Sequence, residues 1–451
     1  MKNNRIPPGP SGHWLLGSLK EYKNNILEFF LDSADEYGDL VKIRLGPRSA
    51  YLVRNASLVE RVLKTKSKIY SKNTPGLKRV KEALKNGLLT TWGDEWKRQR
   101  RISQQAFRKN KIEAFATDFL TSAEKTRQVW SLKLKESNTV DITESMMRNT
   151  LQSAVTTMFS DSVGNETKEI IGDFGVLNEV ANLRIPRVFN WPLWFPTIEN
   201  IRYSRANKNL HSILGTLIKK RRESGDKFED LLGLLMNAKD EETGSSFTDE
   251  ELRYQLLTVL MGGVDTSANT LAFAFHQLAK YPEEVEKLRK EANDAFDEKG
   301  VSFEALEKLD YTKMFVNEVF RLFPPVPIFG RVALEEDEWS GFKIPKGMLL
   351  ITSPFVVQRN PEYWPDPEHF NPERHLPALW KKRPTFSFFP YSGGPRICIG
   401  MGYAQIQLPL TIAYLVRYFD FYPVNEEIKL RPSITLGTEK PIHLRLVKRK
   451  M

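Results

Sequence analysis

The sequence predicts a mainly α-helical protein with small β-sheets, an α+β fold in which helix dominates. Helical apolar spacing prevails in the long body of the chain up to about residue 325. Alternating apolar and polar residues, the pattern of a strand, occur in three patches, at 40–53, 341–357 and 442–446. Hydrophobic residues make up 41% of the chain and charged residues 27%, so the core is ample. No repeat or Gly/Ser-rich linker divides the chain, so we expect one domain over 1–451.

The composition excludes several classes of protein. The sequence has no apolar stretch of about 18 residues, so no transmembrane helix is expected, and the N-terminus lacks the apolar core of a signal peptide. The single cysteine, Cys398, excludes an internal disulfide and favours a reducing compartment, so we expect a cytoplasmic protein. The formal net charge is +11, but no zinc-finger spacing and no Lys/Arg-rich arm supports nucleic-acid binding.

The first elements follow from local patterns. Adjacent prolines in 7–10 predict a stiff, extended lead-in, and helical apolar spacing predicts a helix over 23–36. The alternation in 40–45 breaks at a Gly-Pro pair and resumes at 50–53, which predicts a β-hairpin. Further on, the patch 341–357 contains a Pro-Lys-Gly turn and predicts a second group of strands.

A long helix is predicted from Thr248 to Lys280. Thr248 and Glu251 have the spacing of a capping box, and a Tyr-Pro pair follows Lys280. The helix would be roughly 48 Å long, and its mostly apolar, small middle, 256–271, predicts that it is buried along its length.

Inside this helix stands the run Gly-Gly-Val-Asp-Thr at 262–266. Each glycine destabilises a helix interior by about 1 kcal/mol, so the run needs a reason. One explanation is a local kink in which Thr266 bonds the carbonyl four residues earlier. The other is a widened helix over a ligand, with Asp265 and Thr266 passing protons to bound oxygen.

Glu318 and Arg321 lie one helical turn apart on a helix whose apolar stripe includes Glu318. The ordinary explanation is an ion pair at the surface. A pair on the buried face needs further partners, because unpaired buried charge is costly.

Cys398 follows a run of Pro, Ser and Gly and precedes the apolar segment 403–416, so its thiol lies where a loop leads into a helix. The ordinary role of a lone cysteine is that of a small buried hydrophobe. Here the helix start and Arg396 favour the thiolate, a ligand used for haem iron. Gly394, Pro395 and Gly400 allow the backbone to lie against a flat ligand, and Arg396 can pair with a haem propionate.

This loop resembles the haem-binding loop of the cytochrome P-450 family, Phe-x-x-Gly-x-Arg-x-Cys-x-Gly. Gly394, Arg396, Cys398 and Gly400 fit the pattern, and Tyr391 replaces the phenylalanine. The added hydroxyl of Tyr391 offers a hydrogen-bonding group near the sulfur of Cys398. Hydrogen bonding there influences the redox potential of the bound iron.

Two further motifs of the family occur in the expected order. The run at 262–266 is similar to its Ala/Gly-Gly-x-Asp/Glu-Thr motif. Glu318 and Arg321 match its Glu-x-x-Arg motif, followed by Leu-Phe-Pro-Pro-Val-Pro and by a Pro-Glu-Arg that ends at Arg374. The resemblance implies that Arg374 completes a structural trio with Glu318 and Arg321.

Trp96 and Arg100 lie one turn apart on a helix predicted to start after Gly93-Asp94. Both can reach one propionate, although a solvated arginine on an amphipathic helix in a basic region explains the spacing as well. The resemblance implies the first role, shared with Arg331 and Arg396.

The resemblance implies a cytochrome P-450 fold with a long central helix over haem b, in which Cys398 is the axial ligand of the iron and Asp265 and Thr266 are catalytic. The residues it implies around the haem are Trp96, Arg100, Gly262, Thr270, Arg331, Pro390, Tyr391, Arg396, Cys398, Gly400 and Ala404.

The implied activity is insertion of one oxygen atom from O2 into a C–H bond of a lipophilic small molecule. No nucleotide-binding loop follows a strand, so we expect no fused reductase. The two electrons would then come from a ferredoxin or flavodoxin with its reductase. We expect the enzyme to be a monomer. The surplus of positive charge has two interpretations: basic residues that steer an acidic ferredoxin or flavodoxin, or an ordinary solvated surface. The basic residues concerned are Lys97, Arg98, Lys381, Lys382 and Arg383.

Two alternatives stay open: a peroxide-dependent haem-thiolate enzyme or an isomerase that needs no external electrons, and a haem-based sensor or carrier without turnover. Relatives of the first kind tend to lack the acid–alcohol pair, which Asp265 and Thr266 supply. The second predicts no turnover with any reductase.

The family arrangement implies an apolar substrate pocket and favours a fatty acid or terpenoid. Arg184 and Arg187 are candidates for a carboxylate at its entrance. The six histidines have no metal-ligand spacing, and His276 is expected to serve packing. The pocket residues implied by the resemblance are Leu88, Leu89, Val259, Val264, Val326, Ile328, Phe329, Ile434 and Leu436.

Overall fold

Helices dominate the computed structural model, as the sequence predicts. It describes residues 5–160, 166–184, 190–296, 303–424 and 427–449. In chain order the α-helices of these residues are α1 (Leu19–Asn24), α2 (Ile26–Tyr37), α3 (Ala56–Glu60), α4 (Pro75–Leu84), α5 (Gly93–Ala106), α6 (Lys109–Glu113), α7 (Ala116–Lys133), α8 (Ile142–Phe159), α9 (Glu166–Arg184), α10 (Ile198–Ser224), α11 (Leu231–Asn237), α12 (Asp249–Lys280), α13 (Pro282–Ala295), α14 (Glu304–Glu307), α15 (Asp310–Leu322), α16 (Pro354–Val357), α17 (Pro377–Trp380) and α18 (Met401–Val416).

The strands are short and few. In chain order they are β1 (Leu40–Leu45), β2 (Arg48–Val53), β3 (Tyr70–Ser71), β4 (Thr139–Asp141), β5 (Phe329–Ala333), β6 (Asp337–Trp339), β7 (Phe342–Ile344), β8 (Leu349–Thr352), β9 (Phe419–Pro423), β10 (Leu430–Pro432), β11 (Leu436–Thr438) and β12 (His443–Lys448). One π-helical turn spans Arg61–Thr65, and 3-10 turns span Ser67–Ile69, Pro372–His375, Thr385–Ser387 and Gly394–Arg396.

The chain divides into two compact units. The strand-rich unit consists of Met1–Lys78, Met314–Met401 and Leu430–Gly437, and the helical unit consists of the rest. Among the described residues, no helix combines the length and hydropathy that crossing a bilayer requires.

The strand-rich unit contains a mixed five-stranded sheet in the order β1-β2-β8-β5-β3. The predicted hairpin is confirmed: β1 and β2 are antiparallel, with Leu40 opposite Val53. Its alternation places Val41, Ile43 and Leu52 in the core with no exposed surface, and this burial fixes the register.

The prediction of strands over 341–357 is correct for β7 and β8 but wrong for its end, which forms α16. Ser353 accepts a hydrogen bond from the Val356 N–H and caps this helix, and Pro354 occupies its first turn. Proline is favoured there because its missing N–H would have no partner inside the helix.

The helical unit is built around α12, where the predicted helix is confirmed to within one residue. The Thr248 side chain accepts from the Glu251 N–H, and Glu251 accepts from the Thr248 N–H, so the capping box forms. A three-stranded sheet, β4-β12-β9, also belongs to this unit; β12 confirms the predicted alternation at 442–446.

Candidate active site

The loop before α18 presents Cys398. The Cys398 N–H donates to the Tyr391 carbonyl oxygen over 2.9 Å, and the Ser392 N–H donates to the Phe389 carbonyl oxygen over 2.9 Å. Ser392 and Gly394 both have a positive φ, 62° and 65°. The closed loop holds the side chain of Cys398 exposed at its surface.

Gly394 is required for a reason that differs from the expected approach to a flat ligand. A Cβ atom at Gly394 would overlap the carbonyl oxygen of Leu63, in the π-helical turn, and one at Gly393 would overlap the ring of Phe386. At Gly400, by contrast, the nearest atom to a Cβ would be the sulfur of Cys398, 3.9 Å away. Two glycines therefore pack the loop against its own unit, and only Gly400 faces the thiol.

Lys72, which the sequence analysis did not identify, lies within electrostatic reach of Cys398 and of two predicted cations, Arg331 and Arg396. β3 pairs antiparallel with β5, with Ser71 opposite Val332, so the register places Lys72 opposite Arg331. Burial and the positive charges of Arg331 and Arg396 lower the pKa of Lys72 to about 7, while the charge of Cys398 opposes this shift. The juxtaposition depends on a two-residue strand, which carries no periodic signal.

Arg331 tests whether this cluster suits an anionic cofactor. Its side chain is only 5% exposed, and its Nη1 donates to the Gly330 carbonyl oxygen over 2.9 Å. Among the described residues it forms no ion pair, and burial lowers its pKa to about 10. A buried cation without a carboxylate is costly, so a propionate of haem fits this site.

Tyr391, which replaces the family phenylalanine, keeps the aromatic role. Its ring contacts that of Phe320 edge to face, with centroids 5.4 Å apart. Burial, and secondarily the charge of Cys398, raise the pKa of Tyr391, so the phenol stays protonated.

Glu318, Arg321 and Arg374 come together as the resemblance implies. Glu318 and Arg321 have no exposed side-chain surface, and Arg321 Nε and Nη2 each donate to a Glu318 oxygen over 2.8 Å. Arg374 Nε lies 3.6 Å from Glu318 Oε1. Burial raises the pKa of Glu318, but the hydrogen bonds from Arg321 and His375 outweigh it and bring it to about 2.

Gln358 connects this cluster with the Cys398 loop, and sequence reasoning missed it. The buried side chain of Gln358 donates from Nε2 to the Phe320 carbonyl oxygen over 2.9 Å. Its Oε1 accepts from the Phe389 N–H over 3.1 Å. One amide thus joins the end of α15 to the segment that enters the loop.

In the helical unit, α12 carries the acid and the alcohol side by side. Thr266 Oγ1 donates to the Gly262 carbonyl oxygen over 2.7 Å, the bond of the first explanation considered above. Asp265 is buried and accepts from Asn178 Nδ2, on α9, over 2.9 Å. The expected widening is not observed, because α12 is an uninterrupted α-helix.

One stripe of α12 is nevertheless partly open. Val259, Gly262, Gly263 and Thr266 keep exposed surface, whereas the residues between them, 260–261 and 264–265, are buried. Helical spacing places the four on one face. No atom lies within 4 Å of where a Cβ would stand at either glycine, the helix's own backbone aside. The glycines thus leave room beside Thr266 for a ligand.

The other cofactor candidates lie on helices of the same unit. Trp96 and Arg100 are both half-buried, one turn apart on α5. Thr270 Oγ1 donates to the Thr266 carbonyl oxygen over 2.8 Å, and Ala404 is half-buried on α18. Contact of these four residues with a haem stays a prediction, as does that of half-buried Pro390 in the strand-rich unit.

Most pocket candidates are half-buried, as lining residues would be. These are Leu88, Leu89, Val259, Val326, Ile328, Phe329 and Ile434. Leu436 and Val264 have no exposed surface, so they do not line a pocket. Ile434, which is half-buried, is a better candidate pocket residue than Leu436.

The two arginines suggested for a substrate carboxylate differ. Arg184 Nη1 donates to Asn200 Oδ1 over 2.7 Å and Nη2 to the Trp191 carbonyl oxygen over 3.0 Å. Arg184 therefore holds the start of α10 to the end of α9, which leaves it poorly suited to bind substrate. Arg187 lies outside the described residues.

The basic residues proposed for docking are not equally available. Arg98 pairs with Glu251, and Arg383 donates to the carbonyl oxygens of Tyr363 and Arg374. Lys97 forms an exposed pair with Asp94, N to O 2.8 Å. Lys381 and Lys382 are exposed and are the cations of this set best placed to meet a partner.

The residues of each unit fit a haem. Cys398 would hold the iron, and Lys72, Arg331 and Arg396 would hold propionates. In the helical unit, Trp96 and Arg100 carry donors of the kind that bind a carboxylate. When bound, haem supplies the iron that activates O2 for insertion into a C–H bond.

Comparison with known proteins agrees with this chemistry. The family profile described as Cytochrome P450 matches residues 7–445. The chain is 32% identical to cyclooctat-9-en-7-ol 5-monooxygenase from Streptomyces melanosporofaciens over 88% of this chain and 85% of the relative. It is 30% identical to cyclooctatin synthase from the same organism, covering 96% and 93%. It is 29% identical to pentalenene oxygenase from Streptomyces avermitilis, covering 92% and 91%.

The match spans nearly the whole chain and includes all the motifs described above. The chain therefore belongs to the cytochrome P-450 family and is a haem-dependent monooxygenase.

Proposed function

We propose that this monooxygenase hydroxylates a lipophilic, terpenoid-like small molecule, with a fatty acid as the second candidate class. Two relatives are named for cyclooctat-9-en-7-ol and pentalenene, and their similarity over most of the chain is the observation that carries the proposal. Apolar, half-buried residues at the pocket positions support it, including Leu89, Val259 and Phe329.

The proposed reaction converts one C–H bond, one O2, two electrons and two protons into an alcohol and one water. We propose that Cys398 binds the iron and that residues 1–451 form a single haem domain. With haem bound, Thr266 Oγ1 would give up its bond to the Gly262 carbonyl oxygen and donate a proton into the space that Gly262 and Gly263 leave open. Asp265 resupplies Thr266, and Asn178 orients the carboxylate.

The two electrons come from an acidic ferredoxin or flavodoxin with its reductase, and the enzyme acts as a monomer. The exposed Lys381 and Lys382 support an acidic partner, because opposite charges speed association. A peroxide-driven enzyme is disfavoured by the acid–alcohol pair of Asp265 and Thr266.

Substrate titration tests the proposal. Terpenoid alcohols and hydrocarbons, and fatty acids of graded length, are titrated into the ferric enzyme while the Soret band is recorded. A terpenoid that shifts the band at micromolar concentration, and yields one hydroxylated product with a ferredoxin system, is the expected result. Saturable shifts with fatty acids alone would move the assignment to that class, and turnover with peroxide but no reductase would contradict the electron source.

Thr266→Ala and Asp265→Asn test the proton route. Because Thr266 would hold a proton that the reaction consumes, its loss is expected to divert reducing equivalents from product to hydrogen peroxide, so that less product forms per NADPH. Asn178→Ala should slow turnover less. Unchanged coupling in Thr266→Ala would remove this residue from the route.

A further inference from the structure

His375 is a buried histidine for which the motifs give no role. It ends the 3-10 turn Pro372–His375, directly after Arg374, and its side chain has no exposed surface. Its Nε2 lies 3.0 Å from Glu318 Oε2. The histidine is therefore a fourth member of the cluster formed by Glu318, Arg321 and Arg374.

The cluster fixes the protonation state of His375. Glu318 already accepts two hydrogen bonds from Arg321 and one, over 2.9 Å, from the Asn371 N–H. Arg374 adds a second positive charge 3.6 Å away. Two arginines already face one carboxylate, so a cationic histidine would add to the surplus of positive charge inside the unit, which is costly. His375 is thus neutral and donates its Nε2 proton to Glu318.

The other ring nitrogen supports the same assignment. His375 Nδ1 is buried and has no hydrogen-bond partner among the described residues. Proton uptake there would create a buried N–H donor without an acceptor. Burial lowers the pKa of His375, the bond to Glu318 opposes this, and the charges of Arg321 and Arg383 add to the lowering.

His375 also contacts the segment that leads to Cys398. Its ring centroid lies 5.2 Å from that of Phe388 and 5.6 Å from that of Trp364. Trp364 Nε1 donates to the Ser387 carbonyl oxygen over 3.1 Å. Phe389 follows Phe388 in the chain and accepts a hydrogen bond from the Ser392 N–H of the loop. A short, packed path therefore joins the imidazole to the loop.

We propose that His375 is a positioning residue for the Cys398 loop that works only in its neutral form, so that mild acid releases the thiolate through this histidine. The proposal rests on the proposed role of Cys398 as the iron ligand. It gives the enzyme an acid-sensitive device at a distance from the iron.

The proton bound by His375 links folding stability to pH. A histidine whose pKa is lower in the folded than in the unfolded chain contributes stability above the unfolded value of about 6.5, and this is lost as the pH falls below that value. Glu318, whose pKa is also lowered, loses its contribution only at lower pH, below about 4.5. The two groups act in separate pH windows.

The test compares wild type with His375→Gln and His375→Phe as holoenzymes. The carbon monoxide difference spectrum is recorded between about pH 5 and pH 8. Glutamine keeps a donor for Glu318 without titrating, and phenylalanine keeps the ring without the donor. His276→Gln is the control, because burial lowers the pKa of His276 to about 4 in the helical unit.

The wild type is expected to lose its red-shifted Soret band on acidification with a midpoint about one pH unit above that of His375→Gln. His375→Phe should show a weaker band over the whole range and no transition in the wild-type window. The control should keep the wild-type midpoint. Equal midpoints in wild type and both His375 variants would overturn the proposal.

A second measurement separates this proposal from the role of Cys398. Thermal unfolding of the same samples, followed by circular dichroism, should show a melting temperature that falls with acid in wild type and less in His375→Gln. A missing red-shifted band at neutral pH with this difference present would refute Cys398 as ligand and keep the titrating histidine. A band with no such difference would refute His375.

Discussion

Arg321 and Arg331 are both buried in the strand-rich unit, yet they are partnered in opposite ways. Arg321 is 0% exposed and holds a carboxylate through two hydrogen bonds of 2.8 Å. Arg331 is 5% exposed, and among the described residues it forms no ion pair. A guanidinium satisfied by its own unit is a structural group, whereas one buried without an anion belongs to a site for one. Arg321 therefore belongs with the residues that stabilise the fold around the Cys398 loop, and Arg331 with those suited to bind the haem.

The largest expected effect comes from Arg321→Met. It removes the ion-pair partner that donates two hydrogen bonds to the buried Glu318 carboxylate, so the free energy of unfolding should fall by about 3–5 kcal/mol, or the protein should not fold. Lys313→Met is the matched control, because its pair with Asp310 is exposed and worth at most about 1 kcal/mol. Urea unfolding followed by circular dichroism measures both. Equal losses in the two variants would contradict the structural role of Arg321.

Gly394→Ala is expected to be the next most damaging change. A positive φ alone costs roughly 1 kcal/mol for alanine, and at Gly394 the Cβ would also overlap the Leu63 carbonyl oxygen. Gly347→Ala isolates the first cost, since Gly347 has a φ of 83° and no atom within 4 Å of a Cβ. The difference in unfolding free energy between the two variants therefore measures the packing of the loop against its own unit. A difference near zero would contradict it.

Arg331→Met should affect the cofactor and spare the fold. A hydrogen bond to a charged group contributes about 1.5–3 kcal/mol, so haem is expected to leave this variant roughly tenfold to hundredfold faster. Transfer of haem to excess apomyoglobin measures the rate. Arg359→Met is the control, because Arg359 is buried but pairs with Glu368 over 2.9 Å; it should unfold more easily without a matching effect on haem release. The opposite pattern would contradict the comparison.

Lys72→Met should have the smallest effect on haem. The half-buried ammonium is one of three cations, so its loss is expected to speed haem release by only about threefold to tenfold, and less at high salt. Lys68→Met, an exposed neighbour before β3, should release haem at the wild-type rate. Equal rates in the two variants would remove Lys72 from the cluster.

Much of the site could be predicted from the sequence because its signals are local. The Cys398 loop, the capping box of α12 and the Glu318–Arg321 spacing each occupy a few adjacent residues, and the structure confirms their local geometry. The helix at the end of the 341–357 patch could also have been predicted, since Ser353-Pro354 is a helix-start signal. It was predicted as strand because the apolar residues of α16 continue the apolar run of β8.

The residues that were missed meet their partners across long sequence separations. Lys72 reaches Arg331 through a two-residue strand, and His375 lies 57 positions from Glu318. Gln358 joins α15 to the Cys398 loop from a third segment. No periodicity reports such contacts, because they depend on how the segments of the unit fold together.

The proposed function depends above all on Cys398 binding the haem iron as a thiolate. The most direct measurement is the carbon monoxide difference spectrum of the dithionite-reduced protein at neutral pH, wild type beside Cys398→His. Cys398 is the only cysteine in the chain, so no other thiol of the protein can give the signal. A strongly red-shifted Soret band that is lost in the variant is the predicted result. A wild type without that band, or a variant that keeps it, would show that Cys398 is not the iron ligand.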